Sequence, residues 1–223
     1  MTTQQFSGAL TAADHKTHVP VVFEVPPGTT RLSGSVSLKP QSAPGFDHLV
    51  SISLFAPDGA RGARHNNPDK SFRIDAAHAS PGFLPGPVKA GHWMLFLDVF
   101  RLLGETPLAY EVRIDCESVD VAPASDNAAV AVRSNGPRWY RGDLHAHSLH
   151  SDGSWETSDL VNWARRRGLD FVTLSDHNTV SGVAAARESA AEDLLVISGM
   201  ELTTHHGHAL SLGGGWPRRS CCA

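Results

Sequence analysis

The stretch Arg141–Leu160, RGDLHAHSLHSDGSWETSDL, sets three histidines, His145, His147 and His150, within six residues and follows them with Asp152. His145 and His147 are two apart. On a strand, successive side chains point to opposite faces, so both imidazoles project from the same face and can converge on one ion. Neutral imidazole mixed with carboxylate suits Zn²⁺, Mn²⁺ or Fe²⁺ better than it suits a thiolate-seeking or purely oxygen-seeking metal.

Downstream of this stretch the pattern runs strand, loop, helix, strand. Arg141 to Ser148 reads as a strand, and Thr157 or Ser158 caps a helix to about Arg167 with an apolar stripe of Leu160, Val161 and Ala164. Gly168 is its expected stop. DFVTLSD (Asp170 to Asp176) is a nearly continuous apolar strand, Val180 to Ala191 a second helix, LLVISGME (Leu194 to Glu201) a third strand, and HALSLGG opens a fourth. Alternating β and α with buried strands predicts a parallel α/β sheet or barrel. In such folds functional groups collect at the carboxyl ends of the strands. Here those ends deliver Asp152 after the first strand, His177 just past the second and Glu201 at the end of the third, with His208 at the start of the fourth. The candidate metal ligands are therefore His145, His147, Asp152, His177, Glu201 and His208. His150, Asp176 and Asn178 are candidates for orienting a ligand or facing a substrate, while His205 and His206 stand outside the strand-end logic.

Upstream the period changes. From about Val19 to Glu117 apolar and polar residues alternate, as in half-buried strands. LAYEVRIDCE is the clearest case, with Tyr110, Val112, Ile114 and Cys116 on one side and Glu111, Arg113, Asp115 and Glu117 on the other. Gly- and Pro-rich turns separate the runs, which predicts an antiparallel β-sandwich over residues 1–120. Residues 121–138 read as a linker, 139–214 as the metal-bearing domain and 215–223 as an unpatterned tail. The histidines of the sandwich, among them His48, His65, His78 and His92, are scattered singly and carry no convincing chemistry.

The chain has 223 residues, 41% of them hydrophobic, enough for two modest domains. Its formal net charge of -4 offers no basic face, so neither nucleic acid nor an anionic membrane is an expected partner. No apolar run is long enough to span a bilayer and no leader pattern opens the chain, which places it in the cytoplasm as an expectation. The three cysteines form no disulfide framework. Of 13 histidines, seven lie between His145 and His208. There is no GxSxG elbow, activated cysteine or GxxxxGK[ST] loop, which argues against a covalent hydrolase and a nucleotide triphosphatase.

DLHAHSLHSDG, GLDFVTLSDHNT and GMELTTHHGHALSLG together resemble the PHP (polymerase and histidinol phosphatase) family of metallohydrolases in its CehA/McbA-like branch, over about Trp139 to Gly214. The preceding sandwich is similar to the domain that often stands before that branch. The resemblance implies a distorted (β/α)7 barrel, of which this chain holds the first part, with two or three divalent ions that hydrolyse phosphate esters through metal-activated water. It also implies roles: His145 and His147 as a first metal pair, Glu201 as a bridging carboxylate, Asp152 and His177 as ligands of a further ion, His208 as a ligand of the second, and Asp176 as a group orienting His177.

The implied substrate is a small phosphate ester. Carbamate or carboxylic ester hydrolysis on the same fold is the alternative, and a non-catalytic sandwich binding protein with a residual metal site is the alternative of another class. The family pattern also calls for a further histidine and an Asp–His pair beyond Gly213. A barrel of this type takes roughly 200 residues, and the closing GWPRRSCCA abandons the pattern, so the expectation is a truncated or frameshifted gene product with an incomplete site. Reading the DNA beyond the Gly213 codon tests that expectation.

Overall fold

The computed structural model describes residues 1–39, 42–43, 46–104, 106–121, 136–190 and 192–213. The tail expected over 215–223 and most of the linker expected over 121–138 lie outside the described residues. Two compact units result, one holding described residues 1–121 and the other 136–213.

The first unit is built of β1 (Thr2–Leu10), β2 (Thr17–Val25), β3 (Arg31–Lys39), β4 (Ser42–Ala43), β5 (Phe46–Asp47), β6 (Leu49–Ala56), β7 (Gly59–Arg64), β8 (Ser71–Asp75), β9 (Gly91–Arg101) and β10 (Leu108–Glu117). Two antiparallel four-stranded sheets form, in the orders β1-β10-β3-β8 and β2-β9-β6-β7, with β4 and β5 as a separate small pair. Alternation drives the layering. In β10, Leu108, Val112, Ile114 and Cys116 are buried while Glu111 and Arg113 are exposed. Leu32, Ile74, Val112 and Ile114 of one sheet join Phe23, Ile52, Leu54, Trp93 and Leu95 of the other in one buried cluster. The antiparallel sandwich expected from the alternation is thus the observed architecture.

Backbone geometry at the β7 edge depends on one glycine. Gly62 has φ +122°, and a Cβ there would lie 2.1 Å from the carbonyl oxygen of Gly82. The close approach lets Ala63 donate to that carbonyl at 3.0 Å and Leu84 donate to Arg61 O at 2.8 Å. Arg61 then turns inward, donates to the carbonyls of Leu84, Gly86 and Pro87, and lies over the Trp93 ring. His48 and His65 have hydrogen-bonding roles here: His48 Nδ1 accepts from Leu103 N, and His65 Nδ1 meets Ser51 Oγ.

The second unit comprises β11 (Gly142–Ala146), α1 (Thr157–Arg166), β12 (Phe171–Leu174), α2 (Val183–Ala190), β13 (Leu195–Thr204) and β14 (Gly207–Leu212) in one sheet of order β11-β12-β13-β14. Leu160, Val161 and Ala164 of α1 and Val183 and Ala186 of α2 pack with Val172, Leu174 and Val196. The stripe read from the sequence is the stripe that is buried. Glu156 rather than Thr157 or Ser158 occupies the N-cap position, because the Thr157 side chain is buried as the first helical residue. The second helix starts at Val183 instead of Val180, since Ser181 N is taken by Thr179 Oγ1 and Val183 N by Val180 O in a turn.

The larger correction concerns the fourth strand. β11, β12 and β13 are parallel, but β14 pairs antiparallel with β13. Only His205 and His206 separate β13 from β14. A connection that short can close a hairpin but cannot make the crossover of a dozen or more residues that a parallel neighbour needs. The described residues of the second unit therefore form a mixed four-stranded sheet: of the first part of a (β/α)7 barrel that the resemblance implies, three parallel strands are present and the fourth runs the opposite way. Among the described residues no helix is long and apolar enough to cross a membrane.

Candidate metal centre

The parallel ladder between β12 and β13 runs from Phe171↔Leu195 to Leu174↔Ser198. Beyond it β13 continues for six residues, now paired to β14, and a single parallel bridge joins His177 to Glu201. Glu201 is thus carried past the end of the parallel sheet on β13, among the histidines at the ends of β11 and β12. Its carboxylate is the hub. Oε2 lies 3.0 Å from His145 Nε2 and 2.9 Å from His147 Nε2, while Oε1 lies 2.7 Å from His208 Nδ1. The two imidazoles of the HxH pair approach to 2.9 Å between their Nε2 atoms, as same-face residues on β11 and its extension can.

His147 is gripped at both ends. Its Nδ1 meets Asp152 Oδ1 at 2.9 Å, which leaves Nε2 directed at Glu201. The second oxygen of Asp152 faces His177 Nε2 at 3.5 Å, and His177 Nδ1 stands 3.5 Å from Glu201 Oε2. All six ligand candidates read from the sequence are therefore brought together. Two triads, His145 with His147 and Glu201, and His177 with Glu201 and His208, each place their donor atoms within 4.8 Å of one another. Glu201 and His177 are buried; the side chains of His145 and His208 are 46% and 45% exposed, so the cluster opens to solvent on their side.

The charges reinforce one another. The hydrogen bond to Asp152 raises the pKa of His147 above the ordinary histidine value, against burial, which lowers it. His147 and then His177 hold the Asp152 carboxyl well below the usual range. Burial pushes Glu201 upward, but the hydrogen bonds from His145 and His208 together with the charge interaction with His177 and His145 leave its pKa lowered. Both carboxylates are thus kept anionic.

Three further candidates hold the scaffold. Asp176 is fully buried and accepts from Ser148 N and Oγ at 2.8 Å each and from Ser151 Oγ at 2.7 Å. The resemblance implies that Asp176 orients His177; its carboxylate fastens the loop that carries Asp152, and a hydroxyl at His177 Nδ1 belongs to Thr203. His150 Nδ1 meets Ser181 Oγ at 2.7 Å, tying the same loop to the start of α2. Asn178, at φ +52°, donates from Nδ2 to Thr203 O at 3.0 Å and accepts from Thr203 N at 2.9 Å, while its own N–H donates to Glu201 O. Its amide extends the sheet where the backbone ladder stops. Thr203 is a residue that motif reading passes over. It lies two residues from Glu201 on the same face of β13, so the period of the strand is the signal that points to it.

The donor set fits divalent ions. Imidazole and carboxylate donors about 2.0 to 2.2 Å from a tetrahedral ion stand about 3.3 to 3.6 Å apart. The separations here run from 2.7 to 3.5 Å, so the donor atoms converge as ligands do and need only small adjustments. One imidazole bears a carboxylate on its opposite nitrogen, the arrangement that orients metal-bound histidines. Among the described residues no thiolate takes part in these groups.

Parts of three curated proteins are similar to this chain. A 5'-3' exoribonuclease of Haemophilus influenzae is 38% identical over 64 residues, 28% of this chain and 23% of that protein. A phosphoribosyl 1,2-cyclic phosphate 1,2-diphosphodiesterase of Eggerthella lenta is 34% identical over 64 residues, 28% of this chain and 24% of that protein. An error-prone DNA polymerase of Symbiobacterium thermophilum is 39% identical over 72 residues, 31% of this chain and 7% of that protein. The chain spans less than a quarter of the length of each of these relatives. No family model matches the chain, and no solved structure matches it.

These similarities correct one expectation. Net charge argued against nucleic acid as a partner, but relatives named as an exoribonuclease and as DNA polymerases overturn that exclusion. A local cluster of cations can engage a phosphate without a basic face, so overall charge was the wrong measure.

Proposed function

We propose that the second unit carries the metal site of a PHP-type phosphoesterase whose substrates are phosphate esters of the nucleotide and nucleic-acid kind. The observation that carries this reading is the shared carboxylate of Glu201, with one oxygen toward His145 and His147 and the other toward His208. A carboxylate in that position suits two neighbouring cations. The names of the similar proteins, an exoribonuclease and a cyclic phosphate diphosphodiesterase, support phosphoester chemistry.

In this reading His145, His147 and Glu201 hold one ion, His208 and Glu201 a second, and Asp152 and His177 a further one. Bound divalent ions of this kind lower the pKa of a coordinated water toward about 7 and offset charge on phosphoryl oxygens. Asp152 keeps the His147 ring turned toward Glu201, and burial of His177 and Glu201 fixes the inner wall. The exposed edge at His145 and His208 is the side from which a phosphate enters.

The test is hydrolysis of an aryl phosphodiester, a 5'-phosphorylated oligonucleotide and an aryl carbamate by the 223-residue chain, with Mn²⁺, Zn²⁺ or Fe²⁺ and with a chelator. Metal-dependent cleavage of either phosphate substrate that is abolished in Glu201→Gln supports the proposal. Cleavage of the carbamate alone transfers the site to ester hydrolysis, and tight metal with no turnover of any substrate favours a structural site.

A further inference from the structure

Thr203 is buried on β13, and its hydroxyl makes two contacts. Oγ1 lies within a short hydrogen bond of His177 Nδ1 and 3.3 Å from the carbonyl oxygen of Glu201. A hydroxyl has one proton to give. The carbonyl of Glu201 can only accept, whereas an imidazole nitrogen can give or take, so the arrangement that makes both contacts hydrogen bonds puts the threonine proton on the carbonyl and turns the oxygen lone pair to His177. The second group near Nδ1 is Glu201 Oε2, at 3.5 Å, also an acceptor. Each ring nitrogen thus has a carboxylate oxygen at 3.5 Å, Glu201 at Nδ1 and Asp152 at Nε2, and the short contact to the accepting Thr203 oxygen tips the imidazole proton to Nδ1, which places the ring's lone pair on Nε2.

That lone pair faces Asp152 Oδ2 across 3.5 Å. A carboxylate oxygen and an imidazole lone pair at that separation match two donors on one divalent ion. We propose that Thr203 is the positioning residue that selects the Nδ1–H tautomer of His177, and so commits this histidine to an ion shared with Asp152 instead of to the ion on the His208 side of Glu201. The inference rests on the reading of the cluster as a metal site. Asn178 supports it mechanically, because its side-chain amide grips both backbone groups of Thr203 and holds the hydroxyl against the ring.

The experiment uses the full chain labelled with ¹⁵N-histidine, stripped of metal and kept at a pH where imidazole is neutral. Long-range ¹H–¹⁵N spectra report the tautomer of His177, identified by its loss in His177→Gln. Wild type and Thr203→Ser are expected as Nδ1–H, and Thr203→Val as Nε2–H, bonded to Asp152. In Mn²⁺ titrations Thr203→Val is expected to weaken one ion by about 10- to 100-fold, as losing a partner of a metal-bound histidine does, with Thr203→Ser restoring it.

An Nε2–H signal in wild type overturns the proposal, as does a folded Thr203→Val protein that keeps both tautomer and affinity. Failure of a folded Thr203→Ser to restore them also overturns it, because the hydroxyl is the feature serine retains. If Thr203→Val does not fold by circular dichroism, the tautomers of wild type and Thr203→Ser decide. A chain that takes up no divalent ion defeats the phosphoesterase reading while the tautomer in the metal-free protein is still read independently.

Discussion

Glu201 Oε2 lies 2.9 Å from His147 Nε2, although the opposite nitrogen of that ring is already held by Asp152 at 2.9 Å. One imidazole is thus fixed between two carboxylates, one nitrogen against Asp152 and the other turned to Glu201. Asp152 in turn faces His177, and Glu201 faces His145 and His208 as well. Removing one member disturbs donors on both sides of it.

Glu201→Gln leaves the side-chain shape but removes the negative charge shared by His145, His147 and His208. Divalent-ion retention, measured by elemental analysis after desalting, is expected to fall well below wild type with the β13 fold preserved by circular dichroism. Unchanged retention would remove Glu201 from the metal site.

Asp176→Ala strips three hydrogen bonds from the loop around Ser148 and Ser151. Leaving these donors without their acceptor is expected to cost about 3 kcal/mol, with Asp176→Asn less harmful because one acceptor oxygen remains. Urea unfolding monitored by hydrogen exchange in β12 and β13 checks the order of the two variants.

Asn178→Gly separates backbone strain from side-chain bonding, since glycine accepts φ +52° without cost while losing both amide bonds to Thr203. A loss of about 1 to 3 kcal/mol in local stability is expected. Equal stability of wild type and variant would show that the amide clamp contributes nothing.

Gly62→Ala drives a methyl group to 2.1 Å from the Gly82 carbonyl oxygen at φ +122°. The backbone of the β7 edge must then separate from the loop that Arg61 pins, at a cost of about 2 kcal/mol or more. Chemical denaturation followed by fluorescence of the buried Trp93 reads the effect.

His18 gives the sandwich a pH dependence. Its Nδ1 lies 2.6 Å from Asp98 Oδ1, and that hydrogen bond raises its pKa, with partial burial opposing. A raised folded-state pKa means that the added stability is complete below the unfolded value of about 6.5 and is lost as pH rises through the folded value. The stability difference between wild type and His18→Gln is therefore expected to shrink as pH increases above about 6.5; a difference that grows with pH would contradict the assignment.

Much of this architecture is legible along the chain because it rests on local periodicity. The alternation in Leu108–Glu117 specifies which side of β10 is buried, and Leu160, Val161 and Ala164 specify the inner face of α1. The HxH spacing likewise places two imidazoles on one face, and the positions of Asp152, His177 and Glu201 after successive strands bring them near it. These readings depend on geometry repeated every two or about every 3.6 residues, which a sequence displays directly.

Other features depend on residues that meet only after folding. The direction of β14 is decided by a two-residue hairpin that outweighs the expectation of a continued α/β alternation. The assignment of Asp176 to Ser148 and Ser151, and of Thr203 to His177, depends on contacts between separate segments. The amino-acid sequence by itself determined which side chains could bind a cation and which strands would carry them. Tertiary structure decided which nitrogen of each ring faces which carboxylate, because hydrogen-bond direction is settled at distances of about 3 Å between segments that the chain order leaves far apart.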